Sequence, residues 1–358
     1  MPRSATLDGG QDIQNAQFKK LAMDNLHDRH RAIFSRALSN VLATEIAELT
    51  CAQIVDGIPL SSVEKDGYGR SLSRKHPLHE VHTELCPGVL ERTHQLRSEL
   101  NSDTLQFDSR LIHGYMAASP GSRAFQTHLI ELIARAVHDI AAEIHKIALN
   151  TSPHKDDGLS SWTPPKEDWE DELWWELHPD GAPPTLFQHP WYCYYDQYPQ
   201  GVSDGVGYWA EARILGGVVL FDRRDPEADD GAEPNAIYFH SDRYQVTYRI
   251  YQLTDGQRQL LLNFLQSQDI RPASPLPILC GDDNRIRVDP EEPIGETKIY
   301  RDIWERKPLT PNDPDRRLKD VCTTGLDWLT VEEWKESHHR AFETKWKQDY
   351  PDLFSDTD

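Results

Sequence analysis

The chain of 358 residues predicts an α+β fold, in which an N-terminal helical layer packs on a mainly antiparallel sheet. Three observations lead to this class. Apolar residues recur at helical spacing up to about residue 150, runs rich in β-branched and aromatic residues begin only after residue 186, and the two patterns do not alternate. Because strands that do not alternate with helices rarely form a doubly wound sheet, we exclude that architecture.

The N-terminal part, residues 1–150, contains two helical stretches. Residues 12–49 are long enough for two helices, although no break between them is evident. Residues 122–149 predict one long helix, since Ser122 offers an N-cap and an apolar face follows it. Residues 55–88 between these stretches lack periodicity and carry Pro, Gly and Ser, which predicts a long loop.

The remaining chain divides into an acidic connector, residues 151–185, and a β-rich part, residues 186–358. The connector contains tryptophans and is poor linker material, so we expect the three parts to form one compact body. The runs at 206–221 and 236–253 predict two strands of a long-looped hairpin. Residues 270–315 are rich in proline and predict a segment that wraps the surface.

Two capping-box patterns predict the last helices. Thr254 with Gln257 begins a short helix, and Thr330 with Glu333 begins a C-terminal helix. Apolar residues follow both boxes at helical spacing, which supports both assignments.

The net charge of the chain limits the kinds of partner that we expect it to bind. There are 59 acidic against 38 basic residues, a formal net charge of −21, so we expect neither a nucleic-acid surface nor binding to anionic lipid. No apolar run approaches the roughly 18 residues of a membrane span. The five cysteines are scattered and form no Cys-x-x-Cys, and the N-terminus lacks a secretory pattern, which predicts a cytoplasmic protein. Self-association is left open.

Two segments carry a resemblance. The segments TLFQHPWYCYYDQYPQGVSDGVGYWAEARILGGVVLFDRR and AIYFHSDRYQVTYRIYQLTDGQ resemble a group of proteins from filamentous ascomycete fungi. The likeness extends more weakly over roughly residues 110–310. It implies a fungal source, but it implies no activity, cofactor or site residue.

An aromatic concentration predicts a ligand pocket. Six of the ten Trp and five of the thirteen Tyr lie between residues 162 and 209. Consecutive aromatics on a strand cannot all face one core, so some of them line a pocket or meet a partner. The expected ligand-binding residues are Trp191, Tyr195, Tyr208, Trp209 and Arg243. Acidic and basic groups beside them suit general acid–base chemistry, which makes His240, Asp242 and Glu211 the candidate catalytic residues.

Three functions fit this pattern. The first is an enzyme that acts on a small organic molecule, with reaction and cofactor unresolved. The second is a non-catalytic protein that uses the aromatic segment as a partner surface. The third is a non-haem metal-dependent oxygenase, since His240-Ser241-Asp242 matches His-x-Asp, although the later histidines, His338 and His339, fall on a predicted helix and fit that triad poorly.

Two other histidine patterns are interpreted without a metal. The spacing of His76, His79 and His82 is compatible with zinc or copper, but Pro77 and basic neighbours favour a solvated loop. The predicted long helix collects a polar stripe, which we interpret as its solvated face; the stripe comprises His128, Glu131, Arg135, His138 and His145. Neither of these two patterns therefore predicts a metal site.

Overall fold

The structure, a computed structural model, describes residues 19–67, 72–99, 102–167, 169–227, 229, 231–270, 272–306 and 325–349. Within these residues the chain has the predicted α+β fold, with helices dominating the first part and a five-stranded antiparallel sheet in the second. Among the described helices, none is long and apolar enough to cross a membrane. The predicted wrap is described only as far as residue 306, and its residues 307–315 lie outside the described part.

The helices follow one another along the whole described chain. They are α1 (Asp28–Leu42), α2 (Glu45–Asp56), α3 (Ser61–Lys65), α4 (Leu78–Val81), α5 (Val89–Glu99), α6 (Ser109–Ala117), α7 (Arg123–Ala148), α8 (Glu172–Leu177), α9 (Val202–Leu215), α10 (Asp255–Gln266), α11 (Ile294–Thr297) and α12 (Val331–Asp349). The predicted loop of residues 55–88 thus contains two short helices, α3 and α4, which are too short to show a periodic pattern.

The strands form a small ribbon and a larger sheet. They are β1 (Lys20–Ala22), β2 (Gln106–Asp108), β3 (Val218–Asp222), β4 (Ile237–His240), β5 (Ile250–Gln252), β6 (Arg287–Val288) and β7 (Ile299–Tyr300). β1 pairs with β2, and the larger sheet has the order β6-β5-β4-β3-β7 with every neighbouring pair antiparallel. β3 is therefore an inner strand, flanked by β4 and β7.

Side-chain caps set several helix ends, and one of them, Thr44, supplies the break between α1 and α2 that the sequence does not place. Thr44 separates α1 from α2, because its Oγ1 accepts a hydrogen bond from the Ala47 amide at 3.3 Å. Ser122 caps α7 in the same way through the Phe125 amide at 3.2 Å. A full capping box at Thr254 begins α10, which confirms that prediction.

The strand predicted over residues 206–221 is wrong for most of its length. Residues 206–215 belong to helix α9, and only β3 is extended. The physical reason is burial: almost every residue of α9 is buried, the ion-paired Asp204, Glu211 and Arg213 included, so the helix has no solvated face and its sequence shows no amphipathic period. Its β-branched and aromatic composition reflects packing on α7, not strand geometry.

The second predicted strand, residues 236–253, is a pair of short strands, β4 and β5, joined by a loop. The alternation around Tyr248 lies in that loop and is not a strand pattern. Asp327 explains the loop, because its Oδ1 accepts hydrogen bonds from the Thr247 hydroxyl at 2.9 Å and the Tyr248 amide at 3.0 Å. The Asp327 carboxylate therefore accepts a backbone hydrogen bond that a neighbouring strand would accept in a sheet.

The core lies on both faces of the sheet. Val219, Phe239 and Tyr251 point to one face and join the cluster formed with α1, α2, α6 and α7. The alternate residues, such as Leu220 and Tyr238, point to the other face and pack against the aromatic segment of residues 191–198. The N-terminal helical layer therefore covers one face, and the aromatic segment covers the other.

Candidate metal centre

The residues predicted to line an aromatic pocket separate into two packing groups. Trp191, Tyr195 and Tyr208 belong to the aromatic cluster on one face of the sheet. Trp209, the next residue on α9, points the opposite way into the main core and packs on Phe187 with ring centroids 4.6 Å apart. Tyr208 and Trp209 are 1% and 3% exposed, so this helix presents them to the interior and not to a shared cleft.

His240, a predicted catalytic residue, ends β4 and is fully buried. Its Nδ1 meets the Tyr192 hydroxyl at 3.1 Å, and its Nε2 meets the Tyr248 carbonyl at 3.0 Å. Burial and the neighbouring His189 hold the pKa of His240 well below its usual range, so the ring is neutral. Both ring nitrogens are occupied by structural partners.

The other predicted catalytic residues are held in ion pairs. Asp242 lies 2.7 Å from the guanidinium Nε of Arg213, and the predicted ligand residue Arg243 pairs with Asp66 beside it. Glu211 accepts two hydrogen bonds from Arg301 Nη1, both at 2.7 Å, and a third from the Val219 amide at 2.7 Å. The structure therefore brings His240, Asp242 and Glu211 into the interior, each with its own partners.

The polar stripe on α7 is not the solvated face that the sequence suggests. Glu131, His138 and His145 are 3%, 6% and 7% exposed, because α9 packs along this face at the two histidines and Arg223, which follows β3, pairs with Glu131 at 2.7 Å. Gly207 permits the approach, since a Cβ there would lie 2.8 Å from the His138 ring. Burial alone lowers the pKa of His138, but contacts with Asp204 and Glu211 outweigh it and raise the pKa to about 9. This face is a buried charge network.

A different set of residues forms a compact cluster of metal-binding groups. The cluster consists of Asp56, His82, Cys86 and His154, whose donor atoms all lie within 4.8 Å of one another. Three measured separations are short: His82 Nε2 to Asp56 Oδ2 at 3.6 Å, His154 Nε2 to Asp56 Oδ1 at 3.6 Å, and Cys86 Sγ to His154 Nε2 at 3.2 Å. We call this set the four-residue cluster.

Each member of the cluster comes from a different segment. Asp56 is the last residue of α2, and Gly57 behind it turns the chain at φ 105°, where a Cβ would lie 2.0 Å from Ser152 Oγ. His82 follows α4 directly. Cys86 precedes α5, and its carbonyl accepts a hydrogen bond from the Val89 amide. Three helix ends therefore converge on one point.

His154 arrives from the connector that follows α7. The Ser152 side chain positions it: the hydroxyl donates to the Asp56 carbonyl and accepts a hydrogen bond from the His154 amide at 3.0 Å. A single serine therefore ties the connector to the end of α2 and places His154 beside Asp56.

Two donor atoms of the cluster are buried without a hydrogen-bond partner. These atoms are Asp56 Oδ1 and His82 Nε2, and their residues are 0% and 2% exposed. A buried polar atom left unpaired costs about 1–3 kcal/mol, so such atoms are rare unless a ligand completes them. Both face the same small space.

The atoms of His154, His82 and Asp56 that do not face the centre of the cluster are held by hydrogen bonds to neighbouring groups. His154 Nδ1 meets the Asp157 carboxylate at 2.5 Å, and the His82 ring bonds to the Ile58 carbonyl. Asp56 Oδ2 accepts the Cys86 amide at 2.9 Å, which leaves Oδ1 for another partner. Histidine ligands of metals are oriented by carboxylates or backbone carbonyls in this way.

The electrostatics of the cluster favour a cation. Burial holds the pKa of His82 below its usual value, so the ring is neutral and its lone pair is available. Burial, together with Asp56, raises the pKa of the Cys86 thiol to about 11. A thiolate beside a carboxylate requires a nearby positive charge, which a metal ion supplies.

The sequence interpretation of His76, His79 and His82 as a solvated loop is wrong for two of them. His76 and His82 are 3% and 2% exposed. His76 bonds to the Leu159 carbonyl at 3.1 Å and belongs to the structure of the loop, whereas His82 belongs to the cluster. The missed signal is His82-x-x-x-Cys86, a spacing that combines two ligand types; Asp56 and His154 carry no local signal.

Comparison with known proteins finds no family model that matches the chain and no similar curated protein or solved structure. The function is therefore argued from the residues themselves.

Proposed function

We propose that this protein binds one zinc ion through Asp56, His82, Cys86 and His154, and that the ion fastens the connector after α7 to the helical layer. The observation that carries the proposal is the convergence of four donor atoms within 4.8 Å, two of them buried and unpartnered. Sulfur, two imidazole nitrogens and a carboxylate oxygen are all zinc ligands.

The separations also suit zinc. Ligands at the usual zinc bond lengths of about 2.0–2.3 Å lie about 3.3–3.8 Å apart at the corners of a tetrahedron. The two 3.6 Å separations fall in this range, and the 3.2 Å separation between Cys86 and His154 lies just below it. Calcium and magnesium prefer oxygen ligands alone, so a site with sulfur and two imidazoles disfavours them.

A structural role follows from the number of ligands. Catalytic zinc sites keep a position open for water or substrate, whereas structural sites are closed by four protein ligands. Four ligands are present here. Asp56 and His154 are about a hundred positions apart in the chain, so one ion would close a long loop between α2 and the connector.

The test is metal analysis of the purified full chain after dialysis, combined with thermal unfolding. We expect about one zinc per chain and a lower Tm after treatment with a strong chelator, with Tm restored by zinc. Cys86→Ser and His82→Ala should lose the metal. The matched controls are Cys193→Ser and His79→Ala, which lie outside the cluster and should keep it. Metal content well below one, or equal loss in the controls, would overturn the proposal.

A second candidate function, nucleophilic catalysis by a cysteine, rests on three side chains that contact one another in sequence. Cys86 Sγ, His154 and Asp157 stand in the order of a nucleophile, a base and an orienting carboxylate, at 3.2 Å and 2.5 Å. Against this function, the Cys86 amide is already bonded to Asp56 and cannot stabilise an oxyanion. Alkylation by iodoacetamide separates the two: the zinc site predicts that Cys86 in the metal-free chain reacts no faster than Cys193, whereas a nucleophile reacts much faster.

Two broader proposals remain with the sequence. We propose a cytoplasmic location, which the free state of the four described cysteines supports, and a fungal source, which only the resemblance supports. An enzyme of small organic molecules also remains a proposal, and the burial of His240, Asp242 and Glu211 directs the search for its ligand to another part of the surface.

A further inference from the structure

A polar cleft of about 220 Å³ lies away from the predicted aromatic site, where α7 and α10 begin beside the ends of β4 and β5. Its floor is apolar and buried, formed in part by Ile237 and Leu253. Its rim carries charges of both signs. This cleft shares no residue with the four-residue cluster, so an inference about it is independent of zinc.

Three guanidinium groups line the cleft, those of Arg123, Arg258 and Arg285. Arg123 and Arg258 converge on a single carboxylate, with Nη2 atoms 3.2 Å and 3.1 Å from Asp255 Oδ1. Arg285 is exposed and makes no ion pair with the described residues. Arg123 Nη2 also lies 3.9 Å from Glu233 Oε1, and Asp283 lines the cleft as well, so three arginines face three carboxylates. Arg285 is the arginine of this group that has no ion-pair partner among the described residues, so its charge is available to an anionic group.

The acceptors of the cleft lie around Gln252. Its Nε2 donates to Glu233 Oε2 at 2.8 Å, which fixes the orientation of the amide. Its Oε1 is buried and has no hydrogen-bond partner among the described residues. An unpaired buried acceptor next to a carboxylate suits a ligand that donates N–H groups and carries positive charge.

We propose that this cleft binds a small zwitterion of the α-amino-acid class. The ligand carboxylate binds the guanidinium groups of Arg258 and Arg285, and the ligand ammonium donates to Gln252 Oε1 and Glu233. The size agrees, since 220 Å³ equals the share of about seven water molecules at ~30 Å³ each, which is the scale of an amino acid and below that of a drug-sized ligand.

The test is calorimetric titration of the full chain with L-glutamate and two analogues. 2-Oxoglutarate lacks the ammonium, and butylamine lacks both carboxylates. A thermal-shift screen of the twenty L-amino acids precedes the titration and selects another member if it binds more tightly. We expect the amino acid to bind at least about tenfold more tightly than either analogue, because each analogue leaves one side of the cleft unpaired.

Variants locate the binding. Arg285→Ala, an exposed change that leaves the fold intact, and Gln252→Leu should each weaken binding about tenfold or more. Arg29→Ala, an exposed arginine on α1, is the matched control and should bind as the unmodified chain does. The proposal is overturned if no amino acid binds, if 2-oxoglutarate or inorganic phosphate binds equally well, or if Arg285→Ala binds normally.

Discussion

Replacing Glu211 by leucine should destabilise the fold more than it affects any reaction. The change removes both hydrogen bonds to Arg301, whose side chain is 1% exposed, and it removes the acceptor of the Val219 amide. Removing one partner of a buried ion pair costs about 3–5 kcal/mol. Asp302 remains 3.1 Å from Arg301 Nε and compensates part of the charge, so we expect about 3 kcal/mol.

The assay is equilibrium unfolding in urea, applied to a double-mutant cycle. Glu211→Leu and Arg301→Met are measured alone and together. Because the double variant leaves no uncompensated charge between the two positions, its loss should be smaller than the sum of the two single losses. If Glu211→Leu lowers the free energy of unfolding by less than about 1 kcal/mol, or if the two losses add, the assignment of Glu211 to a structural ion pair fails.

Three further outcomes follow from the described geometry. The folded pKa of His138, about 9, lies above its unfolded value near 6.5, so the stabilisation is complete below pH 6.5 and is lost as pH rises to 9. The free energy of unfolding measured in urea should therefore fall over this range by up to about 3 kcal/mol, and His138→Gln should not show this fall. Trp209→Ala should cost about 3–5 kcal/mol in urea unfolding, whereas Trp169→Ala, at a side chain 80% exposed, should cost almost nothing; equal losses would contradict the core position of Trp209. Gly57→Ala should lower both Tm and zinc content, because the φ of 105° at this position and the contact with Ser152 exclude a Cβ. Unchanged values in both assays would refute the role of Gly57 in placing Asp56 beside His154.

Amphipathic elements of the fold could be predicted from sequence, and uniformly buried ones could not. Helix α7 has an apolar face and an N-cap at Ser122, so periodicity locates both of its ends closely. Helix α9 is buried all round, so its apolar residues show no period and its composition imitates a strand. The polar stripe on α7 was interpreted as a solvated face for a related reason. Glu131 and His138 are charged groups in the interior, and the partners that make their burial possible are distant in sequence.

The candidate sites illustrate a second limit. His240 and Asp242 attract attention as a short motif, yet their partners, Tyr192 and Arg213, are distant in sequence and decide what they do. The four-residue cluster was missed because its residues form almost no local motif. Its ligands come from four segments, and only His82 and Cys86 are close enough along the chain to form a visible spacing. Local spacing identifies metal ligands that lie on one element, but it does not show which residues from separate segments the fold brings together.

Helix α7 connects the main features of the molecule. At 1.5 Å per residue its 26 residues span about 39 Å, with Arg123 at the cleft, His138 in the charge network and the segment leading to His154 at its other end. The amides of its buried middle should open only in global unfolding, whereas the amides near its two ends should exchange by local opening. Hydrogen exchange along this one helix therefore gives three local readouts: protection of the first turn reports a ligand in the cleft, protection of the last turn reports metal loading, and the middle serves as the internal standard for both.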